Sequence, residues 1–447
     1  MATRPERVYV WTWLPGKPGP TPAGAIRWRG SIADFAYRED YLSLPGRIPL
    51  APELPLSPGW QEPTDGLTLA GCLRDGLPDY WGQRVLRAER PDAYTSGNED
   101  RTDMLFSGSD RFGAIDFQSS DTTYTARVTT ASLDELHQAA DLLEAGERLS
   151  PALETALVHG TSIGGARPKA LIGDDEGRSF IAKFSSTSDR GLPVVNAEAA
   201  CLDLARRAGI NAAEGRVTHS LGKDVLLVHR FDRDQIGGRR HVISALTALG
   251  LDPMIGRYAT YPDFMDRLVE RNADTGDGEE LFARIVFNVA TSNSDDHARN
   301  HAAFWDGTRL ELTPAYDLAP GNRSGETATQ ALAIGRQGER ESTFRTCLDA
   351  ANIYGLDEAG ARETIDRVES AIRDHWNDAA DHARLTSAQR DALFGRQILN
   401  PATRHGWQTP RRGTFSPRTN GPSRRKTTPG STAGSFAPVT RDEPPAL

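Results

Sequence analysis

Cysteine is nearly missing from this sequence: three in 447 residues, Cys72, Cys201 and Cys347, far apart and odd in number. That argues against a disulfide framework and against a cysteine-built metal site, and it points to a reducing, cytoplasmic setting. Long apolar runs are missing too. No stretch approaches the roughly 20 apolar residues of a membrane span, so no membrane association is expected. The opening MATRPERVYVWTWLPG has no long apolar run behind its charges and makes a poor secretory leader. Charge is unevenly spread. The net charge is −9, yet from Pro401 onward eight Lys/Arg face two Asp/Glu, which leaves about −15 on residues 1–400. An acidic body is a weak nucleic-acid binder, because phosphate attraction supplies most non-specific affinity. Contact with DNA is expected only through a partner.

What is present supports a packed enzyme-sized body. Hydrophobic residues make up 38% and charged residues 25%, and the length suits two or three domains of about 150 residues each. Residues 1–120 mix Pro and Gly punctuation with short apolar runs (RVYVWTWL, GAIRWRG, FAYRED), the pattern of a strand-rich module. Residues 121–240 read as a mixed lobe. SLDELHQAADLLEAGE is helical in spacing, and Ser132 with Glu135 forms a capping box. KALIG, a turn on DDEG, and SFIAKF predict a hairpin. NAEAACLDLARRAGI predicts a helix ending at Gly209, and DVLLVHRF a buried strand. Residues 241–400 become mostly helical, through YPDFMDRLVERN, EELFARIVFNVATS and ARETIDRVESAIRDHW, the last with Ile365, Val368 and Ile372 on one face. Residues 401–447, rich in Pro, Gly, Ser, Thr and Arg, are expected to be a disordered basic tail. There is no internal repeat.

The chemistry concentrates in NSDDHARN, residues 293–300, directly after an apolar helix. A solvated turn is the bland explanation, since Asp and Asn are common in turns. Phosphoryl transfer is the sharper one. It needs a carboxylate to orient the attacking hydroxyl and oxygen ligands to hold Mg²⁺ against ATP phosphates. Protein kinases use an Asp and an Asn five residues apart, then a second metal-binding Asp. Asp295 and Asn300 have that spacing. Asp317 follows after the predicted hairpin HAAFWDGTRLELT. Upstream, Lys183 stands in an apolar strand, a costly place unless it meets an anion. Before it, TSIGGARPKA offers Gly164 and Gly165 for close phosphate approach and Lys169 for charge, although it matches neither common glycine-loop pattern. Glu198 lies on the next helix, where it could pair with Lys183. DVLLVHRFDR sits where a hinge would hold an adenine ring.

The order of these features resembles the HipA family, the serine/threonine-kinase toxins of bacterial toxin–antitoxin pairs. TSIGGARPKALI resembles that family's phosphate loop, SDDHARNHA its catalytic loop, LTPAYDLAP its metal-binding motif, LVHRFDR its hinge and DGLPDYWGQRVL the end of its N-terminal module. The resemblance covers about residues 5 to 400. It implies an α+β, two-lobed protein-kinase-like fold with a strand-rich N-terminal subdomain and a helical C-terminal lobe. It implies Asp295 as the catalytic aspartate, Asn300 and Asp317 as Mg²⁺ ligands, and Lys183 on ATP phosphates. Gly164, Gly165, Ala166, Arg167, Pro168 and Lys169 would form the nucleotide loop. His229, Arg230 and Phe231 would line the adenine side, with His297 and Tyr316 also facing nucleotide. Ser162 falls where relatives carry an autophosphorylated serine. A small helix-turn-helix, HipB-like antitoxin that binds operator DNA, and a protein substrate such as an aminoacyl-tRNA synthetase, are the partners implied.

Two positions depart from the family pattern. His229 stands where an acid is usual, and Asp296 where a glycine is usual. Asp296 is expected to face solvent, metal binding being the other choice. Three rival functions remain: a small-molecule phosphotransferase on the same scaffold, a metal-dependent hydrolase using Asp295, Asp296 and His297, and a pseudokinase that acts by binding alone. The hydrolase leaves Lys183 and the glycine loop without a purpose.

Overall fold

Strand β1 (Arg7–Trp13) alternates: Val8 and Val10 are fully buried while Arg7 and Tyr9 face the other way. It lies in an antiparallel sheet between β2 (Pro20–Arg29) and β4 (Ile115–Gln118), and β3 (Ile32–Tyr37) completes the order β3-β2-β1-β4. The structure is a computed structural model that describes residues 7–94, 99–128, 131–160, 167–186, 189, 192–272, 276–321, 325 and 327–407. Strands open the N-terminal module as expected, but its second half is helical. α1 (Glu39–Ser43), α2 (Gly71–Asp75), α3 (Tyr80–Glu89) and α4 (Glu99–Phe106) fall between β3 and β4. These helices are short and bounded by Pro and Gly, so in sequence they look like turns.

The next stretch builds a second antiparallel sheet. α5 (Leu133–Ala145) starts on the Ser132–Glu135 capping box and ends on Gly146 in the left-handed conformation. α6 (Pro151–Gly160) follows. β5 (Lys169–Gly173) and β6 (Ser179–Lys183) form the predicted hairpin, closed by the Asp174 carboxylate, which accepts from the Arg178 amide at 2.9 Å. α7 (Val194–Arg207) then crosses behind the sheet. β7 (Gly215–Ser220) and β8 (Lys223–His229) complete the order β5-β6-β8-β7. α7 stops where Gly209 takes a φ of +79°.

The rest is helical around a small sheet. β9 (His241–Ser244) joins β10 (Ala302–Trp305) and β11 (Leu310–Leu312) in the order β11-β10-β9. Between them run α8 (Ala245–Ala248), α9 (Tyr261–Arg271) and α10 (Asp277–Ala290). After them come α11 (Phe344–Ala350), α12 (Glu358–His382) and α13 (Ser387–Leu393). α10 is buried nearly all round, and α12 turns Ile365, Val368 and Ile372, each fully buried, toward α7 and α10. One apolar cluster runs from Val8 to Trp407. Among the described residues no helix is long and apolar enough to cross a membrane.

The tail boundary needs correction. Residues 401–407 do not belong to a disordered segment: Pro401–Arg404 form a 3-10 turn, Ala402 and Thr403 are buried, and Trp407 packs edge-on against Phe344. Arg404 also pairs with Glu369. The polar composition hid one buried indole that anchors the turn. Residues 408–447 lie outside the described residues.

Candidate active site

Antiparallel register puts Lys169 of β5 directly opposite Lys183 of β6. Like charges so placed repel unless anions stand between or beside them. Two do. The Lys183 ammonium donates to Glu198 Oε1 from α7 at 2.5 Å and to the Asp317 carboxylate. Burial alone would lower the lysine's pKa, but Asp317 and then Glu198 outweigh it, and Lys183 is held firmly protonated. Asp317 moves the opposite way: burial would raise it, and Lys183 followed by Lys169 pulls it below the usual carboxylate range. Glu198, deepest of the three, is raised by burial despite Lys183. Lys169 is lowered, mainly by burial. The predicted pairing of Lys183 with Glu198 is present, and Lys183 is the last residue of the interior strand β6, lining one cavity with the loop after α10.

Asp317 has a φ of +54°, a conformation that costs a non-glycine residue free energy and persists only where its surroundings hold it. Those surroundings can be named. Tyr316 donates through its hydroxyl to the Arg299 carbonyl at 2.8 Å, and the Gly321 amide donates to the Ser292 carbonyl at 2.9 Å. Ser292, with φ +53°, lies just past the end of α10, and its hydroxyl donates to the Gln397 carbonyl at 2.7 Å. The Leu399 amide donates to Ala290 at 2.7 Å. The loop after α10 is thus tied to the segment from Tyr316 to Gly321 on one side and to residues near 400 on the other. On this loop Asp295 and His297 are exposed and Asn300 half-buried, and all three line one cavity with Lys183, Glu198 and Asp317.

Asp296 corrects the expectation. It faces neither solvent nor metal; it is 1% exposed. Its Oδ2 accepts from Asn288 at 2.7 Å, from His301 Nε2 at 2.6 Å and from the Tyr261 hydroxyl. Three donors from α9, α10 and the loop's own far end fix one carboxylate, so the neighbouring Asp295 is turned outward. A hydrolase using Asp295, Asp296 and His297 together loses its second ligand to this network.

The cavity encloses about 760 Å³, in the range of ligand pockets. His229, Arg230 and Phe231 lie in its wall at the end of β8. Phe231 joins Phe112 and Tyr316, ring centroids 5.8 Å from each. The Arg230 guanidinium is buried and turned away to Asp110 at 2.8 Å and Asp232 at 2.8 Å. Those acids hold it protonated against the effect of burial. Arg167 pairs with Asp189. Ser162, Gly164, Gly165 and Ala166 lie outside the described residues.

Several wall residues escaped the sequence reading. Asp75, Asp79, Tyr80 and Phe112 come from the N-terminal module, and Asp79 pairs with Arg299 of the loop after α10 at 3.2 Å. Asp79 and Arg299 both stand inside motifs quoted above, a usable signal. Asp110 and Phe112 gave none, because they reach the site only by folding across more than a hundred residues.

The donor set suits a hard cation. Asp317 and Asn300 offer oxygen, and magnesium takes one or two carboxylates plus substrate phosphates rather than a full protein cage. Among the described residues no three His, Cys, Asp or Glu converge as such a cage. Lys169, buried, and Lys183, partly buried, lie beside these oxygens and fit a polyphosphate.

Comparison with known proteins places this geometry. Residues 161–376, just under half of the chain, match the HipA-like C-terminal domain. A segment is 30% identical over 135 residues to the serine/threonine-protein kinase toxin HipA of Shewanella oneidensis, covering 26% of this chain and 31% of the relative. Another is 30% identical over 149 residues to a Sinorhizobium fredii protein named as a candidate kinase, covering 31% of this chain and 33% of the relative. The chain thus spans about a third of these curated relatives' lengths. In three dimensions it resembles the Shewanella oneidensis MR-1 structure described as HipA, HipB and operator DNA, with TM-score 0.60 at 20% identity, over 88% of this chain and 99% of that one. At that identity the likeness establishes the α+β fold.

Proposed function

We propose that this chain belongs to the HipA family, as the match of residues 161–376 to its C-terminal domain supports, and that it is an ATP- and Mg²⁺-dependent serine/threonine protein kinase. The observation that carries the reading is a single cavity lined by Lys183, Glu198, Asp295, Asn300 and Asp317. In this reading residues 121–240 hold the nucleotide and residues 241–400 the catalytic loop. Lys183, oriented by Glu198, and Lys169 neutralise phosphate oxygens. Asn300 and Asp317 hold the metal, whose chemistry is to screen charge on the transferring phosphoryl group. Asp295, free of the network that buries Asp296, accepts and orients the acceptor hydroxyl. Phe231 and Tyr316 flank the base, with His229 beside them.

The toxin role, a HipB-like helix-turn-helix antitoxin, a substrate such as an aminoacyl-tRNA synthetase and a cytoplasmic setting belong to the same proposal. An acidic body supports DNA contact through the antitoxin rather than directly. Autophosphorylation on Ser162 would add nearly two negative charges to the nucleotide loop and expel it from its working position. Mass spectrometry that finds Ser162 unmodified after prolonged incubation with ATP and Mg²⁺, or fully phosphorylated in protein that still transfers phosphate, removes that part.

The test is labelled ATP with Mg²⁺, with and without cell extract, beside Asp295→Ala. Protein label that falls by about 10²–10⁴ in rate in the variant supports the kinase. Label on a small metabolite points instead to a small-molecule phosphotransferase, and no transfer at all to a binding-only protein.

A further inference from the structure

The cavity has an apolar edge that phosphoryl transfer does not use. Leu246 and Leu251 line it on one side, and Tyr80 of the N-terminal module on another. Just past Leu251 comes the 3-10 turn Pro253–Tyr258, started by the Asp252 carboxylate, which accepts from the Met254 amide at 2.8 Å. The turn presents large apolar groups to water: Met254 is 83% exposed and Tyr258 62%, and Tyr80 is 67% exposed. It is seated on the cavity wall, because a Cβ at Gly256 would lie 3.0 Å from Leu246 Cδ1. Single exposed apolar residues are ordinary, but several held on a capped turn at the edge of a catalytic cavity are the usual sign of a binding surface.

We propose that this rim docks the acceptor: an extended protein segment with an apolar side chain flanking the serine or threonine that is phosphorylated. The inference rests on the kinase reading. Continuity assigns the occupant. A hydroxyl brought to Asp295 enters the cavity that Leu246, Leu251 and Tyr80 help to form, so the residues beside it in the acceptor chain come over this edge. A metabolite-sized acceptor has no flanking residues to bring there. Nucleic acid fits poorly, since the turn's one cation, Arg257, lies over the Tyr258 ring with its centroid at 5.0 Å and the body is acidic.

The test uses the full chain, radiolabelled ATP with Mg²⁺, and an array of serine-centred peptides in which one flanking position at a time is fixed as Leu, Phe, Asp or Lys. The native protein is expected to favour Leu or Phe at one flanking position. Met254→Ser with Tyr258→Ser should abolish that preference and raise the peptide KM on the order of tenfold, the effect of losing apolar anchors, with the ATP KM unchanged. Val269→Ser, another exposed apolar position, on α9, should change neither. No apolar preference, or one that survives in the double variant, overturns the docking rim. Autophosphorylation without any peptide label also overturns it while leaving the kinase standing; loss of ATP binding as well as all transfer removes the kinase reading itself.

Discussion

At the scale of single residues, burial decides what each charge can do. Lys183→Ala removes the cation and leaves Glu198 buried without it, so the variant should lose about 3 kcal/mol of stability as well as transfer activity. Urea unfolding beside the labelled-ATP assay separates the two losses. Asp296 makes a sharper case. Asp296→Ala strands three buried donors and should destabilise by about 3 kcal/mol. Asp296→Asn keeps the shape and should unfold near the native midpoint, yet lower kcat about a hundredfold at unchanged ATP KM, because a loosened loop misplaces Asp295. A raised KM with kcat intact would contradict a positioning role. His241 gives a pH prediction. It is 4% exposed, and burial lowers its pKa to about 4. The folded pKa is below the unfolded one, so the unfolded chain takes up the proton first as pH falls. Its stabilising effect is complete above the ordinary histidine pKa of about 6.5 and is lost on the way down toward 4, the loss reaching about 2 kcal/mol by pH 5. Denaturant midpoints at pH 7.5 and 5 should diverge less for His241→Gln than for the native chain.

Elements differ in how far they can be read before folding. The α5 capping box is local, and Ser132→Ala should cost about 1 kcal/mol in thermal or urea unfolding. The β5–β6 hairpin was equally legible, because strand alternation and the turn at Asp174 lie within a few residues of each other. So were α7, α10 and α12, whose apolar faces repeat at helical spacing. β7 and β9 were not anticipated. GRVTHS has little apolar character, and HVIS pairs with a strand some sixty residues later, so tertiary partners create these strands. The same limit applied within the site. Lys183 and Glu198 signalled each other through strand and helix placement, whereas Asp295 and Asp296 are indistinguishable neighbours in sequence. Only Tyr261, Asn288 and His301, drawn from two other helices and the loop's end, decide which acid is buried.

Across the whole molecule, distant segments share one core and one site. The Arg230 guanidinium bonds Asp110 of the N-terminal module and Asp232, just past β8. Opening that contact with Asp110→Ala should cost about 3 kcal/mol and weaken nucleotide binding together with stability, as read by unfolding with and without ATP. The residues around Trp407 matter similarly. A chain ending at Trp407 should melt several degrees above one ending at Asn400, since the shorter one exposes Phe344 and frees Glu369 from Arg404.

Synthesis proceeds from the N-terminus, and that gives the bonds from Ser292 to Gln397 and from Leu399 to Ala290 a temporal meaning. A ribosome finishes Lys183, Asp295, Asn300 and Asp317 well before it makes the segment that braces their loop. On the kinase reading proposed above, a nascent chain would own these groups before the geometry to use them, and competence would arrive only after the last brace has left the exit tunnel.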